Sequence, residues 1–226
     1  MTISKSVRTS ASQQIPLIMS EMQAAAETLQ EIGWGVSVFG SARIKPDNPY
    51  YMLSEKLGGR LAQAGLPVIA GGGPGIMEAA NKGAFEAGGH SIGLNIKLPR
   101  ETTDNRYQTH SLHFEFFASR KATFFMHSAA YIVMPGGFGT LDELFEVLTL
   151  VQTKKVPPAP IILVGVSFWS GLIEWVKSQQ LPNHLIGAHD LDLLTITDDL
   201  DVVMHEIESF YSEQSEQLNC AAVLPE

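Results

Sequence analysis

Cysteine is all but missing from this chain: Cys220 is the only one in 226 residues. A single thiol close to the C-terminus excludes a disulfide framework and a thiolate zinc set, and it offers no Cys nucleophile for a folded site. Positive charge is scarce too. Lys and Arg number 15 against 24 Asp and Glu, a formal net charge of −9, so neither nucleic acid nor an anionic membrane is expected as a partner. Any phosphate chemistry then has to be arranged locally. No apolar run is long enough to span a bilayer. Residues 1 to 12 are basic and rich in Ser and Thr but lack the apolar core of a secretory signal. They read as a frayed N-terminus, and the protein is expected to be soluble and cytoplasmic. The seven histidines are scattered, with only His110 and His113 close together. An H-x-x-H without a third ligand is more often satisfied structure than a metal site, so no metal and no cofactor is expected. No internal repeat is visible.

Glycine, by contrast, is concentrated where it matters. The apolar segment Tyr131-Ile132-Val133-Met134 leads into Pro135-Gly136-Gly137-Phe138-Gly139-Thr140, and then into the helix-patterned run Leu141 to Val147. This is strand, glycine loop, helix. Three glycines in four positions remove the Cβ atoms that keep a ligand from the backbone, and Thr140 is a good N-cap for a helix whose unpaired N–H groups face the loop. Such a helix start is an anion site, most often for phosphate. Thr140 and Glu143 stand at the T-x-x-E spacing of a capping box, which allows Glu143 a purely structural role. An acid beside a phosphate loop is nevertheless a conflict between local rules, and such conflicts mark functional positions. Glu143 is therefore the candidate catalytic carboxylate.

The length suits one domain with a core at about residues 34 to 211 and a loose tail over 212 to 226. From Ile15 to Ile32, Ile18, Met22, Ala25, Leu29 and Ile32 recur at the helical period. Strands are expected at Val36 to Phe39, Leu66 to Ala70, His90 to Asn95, Ile161 to Val164 and Leu193 to Ile196. Helices are expected at Tyr51 to Ala64, Phe116 to Ser128, Trp169 to Gln179 and Leu200 to Tyr211. The first strand opens onto Gly40-Ser41-Ala42-Arg43. The second opens onto Gly71-Gly72-Gly73-Pro74-Gly75-Ile76-Met77-Glu78, which leads a helix to about Ala87. That loop fails as a G-x-G-x-x-G dinucleotide fingerprint and as a P-loop. Glu78 in its first turn can be a helix-dipole partner or a ligand contact. Lys97 to Glu115 reads as a long connection covering the substrate. Arg120-Lys121 are either a solvated pair or bases that reach the same anion. Strands alternating with helices mean an α/β, Rossmann-like, doubly wound, mostly parallel sheet with helices on both faces.

These motifs together resemble the Lonely Guy (LOG) family of phosphoribohydrolases. An R-K pair, Arg120-Lys121, precedes P-G-G-x-G-T-x-x-E, here Pro135 to Glu143, while G-S-A-R (Gly40 to Arg43) and G-G-G-P-G-I-M-E-A (Gly71 to Ala79) match its bacterial branch. The resemblance implies a dimer or larger homo-oligomer that hydrolyses a nucleoside 5′-monophosphate, AMP or a cytokinin ribotide, to free base and ribose 5-phosphate. It implies that Gly136, Gly137, Gly139 and Thr140, with Pro135 and Phe138 in the same loop, hold the 5′-phosphate. Gly40, Ser41, Gly72 and Gly73 would border the nucleotide, Glu78 would touch sugar or base, and Lys121 would assist. Glu143 would stabilise the cationic sugar and activate water, while Arg120, unable to give up its proton, would fix phosphate or ribose or offset charge on the leaving base. The alternative is a non-catalytic nucleotide- or cofactor-binding protein of the same fold.

Overall fold

The computed structural model describes residues 11–98 and 104–221. Seven short strands carry the fold: β1 (Gly35–Phe39), β2 (Val68–Ala70), β3 (Ser91–Ile96), β4 (His110–Phe114), β5 (Ser128–Val133), β6 (Ile161–Val164) and β7 (Leu194–Thr197). Seven α-helices connect or flank them: α1 (Ala11–Gln30), α2 (Pro49–Gln63), α3 (Ile76–Glu86), α4 (Phe117–His127), α5 (Phe138–Gln152), α6 (Val166–Trp175) and α7 (Leu200–Ala221). All strand pairs are parallel, and the order is β4-β3-β2-β1-β5-β6-β7.

Alternate residues of each strand point to opposite faces, and each face needs its own cover. Phe39, Ile69, Tyr131, Val133 and Leu163 face α1, α4, α5 and α6, which bury Leu29, Phe124, Leu144 and Trp169 against them. Val36, Val38, Val68, Ile132 and Val164 face α2, α3 and α7, which contribute Leu57, Ile76, Ala80, Val203 and Ile207. The central strands β1, β2 and β5 are apolar on both faces, which explains their near-continuous hydrophobic runs.

Three expectations change. The connection expected over Lys97 to Glu115 contains the edge strand β4, whose side chains alternate between partly buried (His110, Leu112) or buried (Phe114) and exposed (Ser111, His113). With one neighbour and only two apolar side chains in five residues, its pattern is too weak to read locally. Of that connection, residues 99 to 103 lie outside the described residues. Helix α7 runs on to Ala221, through most of the tail expected to be loose. The proposed N-cap Thr140 is instead the third residue of α5, whose N-cap is Gly137. No Thr140–Glu143 capping box forms, because the helix starts three residues earlier than the threonine signal implied.

The apolar stripe on α1 is largely used within the chain, with Ala25 and Leu29 each only 1% exposed. The same helix supplies a cap. Helix α4 has no side-chain cap of its own, and Glu21 accepts the Glu115 N–H at 2.7 Å with one oxygen and the Ser119 hydroxyl with the other. Among the described residues no helix is long and apolar enough to cross a membrane. Most of the expected N-terminal tail, residues 1 to 10, lies outside the described residues, as do 222 to 226.

Candidate active site

The strand order reverses direction between β1 and β5, so the chain leaves these neighbouring strands toward opposite ends of the sheet. Loops that diverge at the carboxyl ends of a parallel sheet open a crevice between them. Here the Ser41 N–H donates to the Pro135 carbonyl at 3.1 Å and holds the two loops side by side. The crevice is a cleft of about 710 Å³, walled by the β1 loop, the second glycine loop, the ends of β3 and α4, and the start of α5.

Helix α5 starts on the floor of this cleft. Gly137 offers no side-chain cap, and the first backbone bond of the helix runs from the Leu141 N–H to the Gly137 carbonyl at 3.0 Å. The N–H groups of Phe138, Gly139 and Thr140 are therefore without intrahelical partners and lie at the positive end of a 15-residue helix. Gly136 is required for close approach, because a Cβ there would overlap the buried Thr140 hydroxyl. Phe138 projects from the loop, 93% exposed.

Arg120 is the unusual residue. It is a buried cation, 6% exposed, that reaches from α4 across the ends of β3 and β2. Its Nε donates to the Leu94 carbonyl at 2.6 Å and its Nη2 to the Gly71 carbonyl at 3.3 Å, while the guanidinium lies over the ring of Phe124, 5.4 Å from its centroid. A Cβ at Gly71 would overlap both Nη2 and the Met77 sulfur, so the glycine is what lets this side chain lie flat under the second loop. Burial lowers its pKa and Glu143 raises it. Arginine nonetheless stays a cation in proteins, and among the described residues its Nη1 has no hydrogen-bond partner.

Glu143 stands one turn into α5 and also lines the cleft. Its carboxyl keeps an opening onto the cleft but is otherwise enclosed, and burial pushes its pKa from 4.5 up to about 7, against the opposing pull of Arg120. A carboxylate poised near neutral pH in a cleft is suited to exchanging a proton with water.

A family model described as "Possible lysine decarboxylase" matches residues 77–207. The chain is 30% identical over 164 residues to the cytokinin riboside 5′-monophosphate phosphoribohydrolase LOG4 of Arabidopsis thaliana, a match covering 69% of this chain and 74% of that one. The protein belongs to the LOG family. A second LOG-family relative, probable enzyme of the same description from Oryza sativa subsp. japonica, is 33% identical over 135 residues, covering 56% of this chain and 52% of the relative. The match thus spans about half the length of the rice protein. Among solved structures, the molybdenum cofactor carrier protein of Chlamydomonas reinhardtii shares the fold with a TM-score of 0.58 at 20% identity over 80% of this chain and 99% of that one. The molybdenum cofactor binding protein of Rippkaea orientalis does so with 0.58 at 23%, over 78% and 95%.

In this LOG-family chain the cleft gathers Gly40, Ser41, Gly73, Arg120, Gly136, Gly137, Phe138, Gly139, Thr140 and Glu143 from the sequence candidates. Four others stand apart from its lining. Pro135 is buried beneath the loop, and Gly72 uses its carbonyl to accept from the Asn105 N–H at 2.8 Å and from Gln108 Nε2 at 3.0 Å. Glu78 accepts the hydroxyl of Tyr51, a buried residue of α2, at 2.8 Å. Lys121 turns away from the cleft to Asp142, at 2.7 Å, and to Glu146. Burial alone would lower its pKa, but bonds to those two acids raise it, which is the opposite of what a Schiff-base lysine requires.

Sequence reasoning missed Arg43, Met77, Asn95, Asp104 and Phe117, all on the cleft wall. Asn95 carried a readable signal: a polar amide inside the apolar run Ile92 to Ile96 has to be paired. It is 3% exposed and donates to Gln108 Oε1 and Ser111 Oγ, each at 2.9 Å. Arg43 closed the G-S-A-R match but was not singled out as a site residue, and Phe117, an exposed residue at the start of α4, gave none. Among the described residues no group of three His, Cys, Asp or Glu side chains could hold a metal ion.

Proposed function

We propose that this protein hydrolyses the N-glycosidic bond of a nucleoside 5′-monophosphate, AMP or a cytokinin riboside 5′-monophosphate, to free base and ribose 5-phosphate. The observation that carries the reading is the convergence in one cleft of an uncapped helix start, a buried arginine and an enclosed carboxylate. The N–H groups of Phe138, Gly139 and Thr140 take the 5′-phosphate. That places the ribose deeper in the cleft, toward Glu143. Cleaving the bond builds positive charge on C1′, which an ionised Glu143 stabilises while it orients a water and takes its proton. The bonding electron pair leaves with the base. Arg120, with Nη1 uncommitted, steadies the phosphate or ribose and offsets negative charge on the departing ring.

The second reading is a protein that holds a nucleotide-like cofactor without turnover, a role suggested by the carrier and binding proteins that share the fold. Those likenesses speak to fold alone. A pure carrier gains nothing from an enclosed carboxylate whose ionisation costs stability, and this favours the enzyme. Incubation with AMP and with a cytokinin riboside 5′-monophosphate, followed by assay of free base and ribose 5-phosphate, tests it. Release from at least one supports hydrolysis; tight binding of both without release supports the carrier. We also propose a homodimer or larger homo-oligomer, which light scattering showing a 24.6 kDa monomer at micromolar concentration would reject.

A further inference from the structure

Arg120 and Lys121 are neighbours on α4, and a step of about 100° around a helix sends adjacent side chains to different places. Arg120 enters the cleft floor. Lys121 crosses to α5 and binds Asp142 at 2.7 Å and Glu146, the residues one before and three after Glu143. The Lys121 side chain is 18% exposed, and among the described residues the buried Oε2 of Glu146 has no partner besides the Lys121 ammonium. The catalytic candidate accordingly sits between two other carboxylates on its own helix, and one ammonium pairs with both.

We propose that Lys121 is a positioning residue for Glu143: by clamping Asp142 and Glu146 it offsets the negative charge beside that carboxylate and fixes α5 against α4. This rests on the hydrolytic reading given above. The charged groups around Glu143 are Arg120 and Lys121 from α4 and Asp142 and Glu146 from α5, with Arg43 from the β1 loop and Asp104 from the segment before β4 on the same cleft wall. Burial raises the Glu143 pKa; Arg120 and Lys121 lower it, and Asp142 and Glu146 raise it. Deleting the Lys121 charge removes one lowering influence and releases two raising ones. Every consequence has the same sign.

The test is the pH dependence of kcat/KM for whichever nucleoside monophosphate the wild type hydrolyses, in Lys121→Met, Lys121→Arg and the double variant Lys121→Met/Glu146→Gln. Lys121→Met should move the acid limb up by about one pH unit, as expected for losing one nearby countercharge. Lys121→Arg should leave it near the wild-type position, and the double variant should bring it back down. A limb that stays put in Lys121→Met while kcat falls overturns the proposal and leaves a structural tether. So does a double variant no different from Lys121→Met. Should the wild type hydrolyse no nucleotide, the hydrolytic reading fails, and the electrostatic claim is still decided without turnover. The pH at which the melting advantage of Glu143→Gln over its parent stops growing should rise in a Lys121→Met background, and an unchanged plateau pH overturns the claim.

Discussion

Replacing Glu143 with Gln should cost activity and add stability, and the second effect should depend on pH in a stated direction. The folded-state pKa of Glu143 is pushed from 4.5 up to about 7, so the native protein holds a proton that the unfolded chain releases from about pH 4.5 upward. Between those values the folded state binds more protons than the unfolded one, and stability falls as pH rises. The penalty is absent below pH 4.5, grows through the window and is complete above pH 7. At about 1.4 kcal/mol per pKa unit, the displacement sets an upper bound of roughly 3 kcal/mol. For a chain of this size that is a Tm rise of the order of 5 to 10 °C. Glu143→Gln keeps the shape and removes the ionisation, so at pH 8 it should melt higher than the wild type by up to that amount, and at pH 4.5 by almost nothing. Turnover should drop at least ~10²-fold while AMP still binds. Scanning calorimetry at several pH values and a base-release assay measure the two halves. A variant that melts no higher than the wild type at pH 8, or higher by the same amount at every pH, shows that the carboxylate is not held in a costly state. Undiminished turnover removes it from catalysis altogether.

In the wild type, kcat/KM should climb with pH through about 7 as Glu143 ionises; a flat profile from pH 5 to 8 contradicts a base at this position. Adenosine should be a poorer substrate than AMP by on the order of 10³-fold in kcat/KM, because two or three charge-assisted bonds to the α5 N-terminus, each worth roughly 1.5 to 3 kcal/mol, are lost together with the register of the ribose. Equal constants would mean that the helix start is not a phosphate site. Arg120→Ala should lower kcat/KM at least ~10²-fold, and unchanged kinetics would make Arg120 a structural cation only. Gly71→Ala should displace the Arg120 guanidinium or the Met77 sulfur, lowering turnover about 10-fold or more and costing about 1 to 3 kcal/mol of stability. A full-rate Gly71→Ala variant would show that the flat placement of Arg120 is dispensable.

The residues by themselves determined the units and their kind. Apolar runs ending in glycine and followed by a helical period announce strand, loop and helix, because period and turn chemistry are local properties of the chain. That was enough for a parallel α/β sheet, for the two glycine loops, and for Glu143 as a residue out of keeping with its surroundings, while Arg120 stayed either a solvated base or an anion ligand. Strand order is decided elsewhere, by which apolar faces bury each other best across long separations. Only the tertiary structure could put β1 beside β5, and with it Gly40 and Ser41 beside the Pro135 to Thr140 loop. Adjacent residues on one helix also look alike in sequence, yet a 100° step sends Arg120 under Gly71 and Lys121 onto Asp142 and Glu146. The edge strand β4 stayed hidden because a strand with one neighbour and a partly solvated face needs few apolar residues. The start of α5 was misplaced because a threonine three residues into a helix carries the same letter as one that caps it. The difference lies in a hydroxyl buried under Gly136, which no local pattern records.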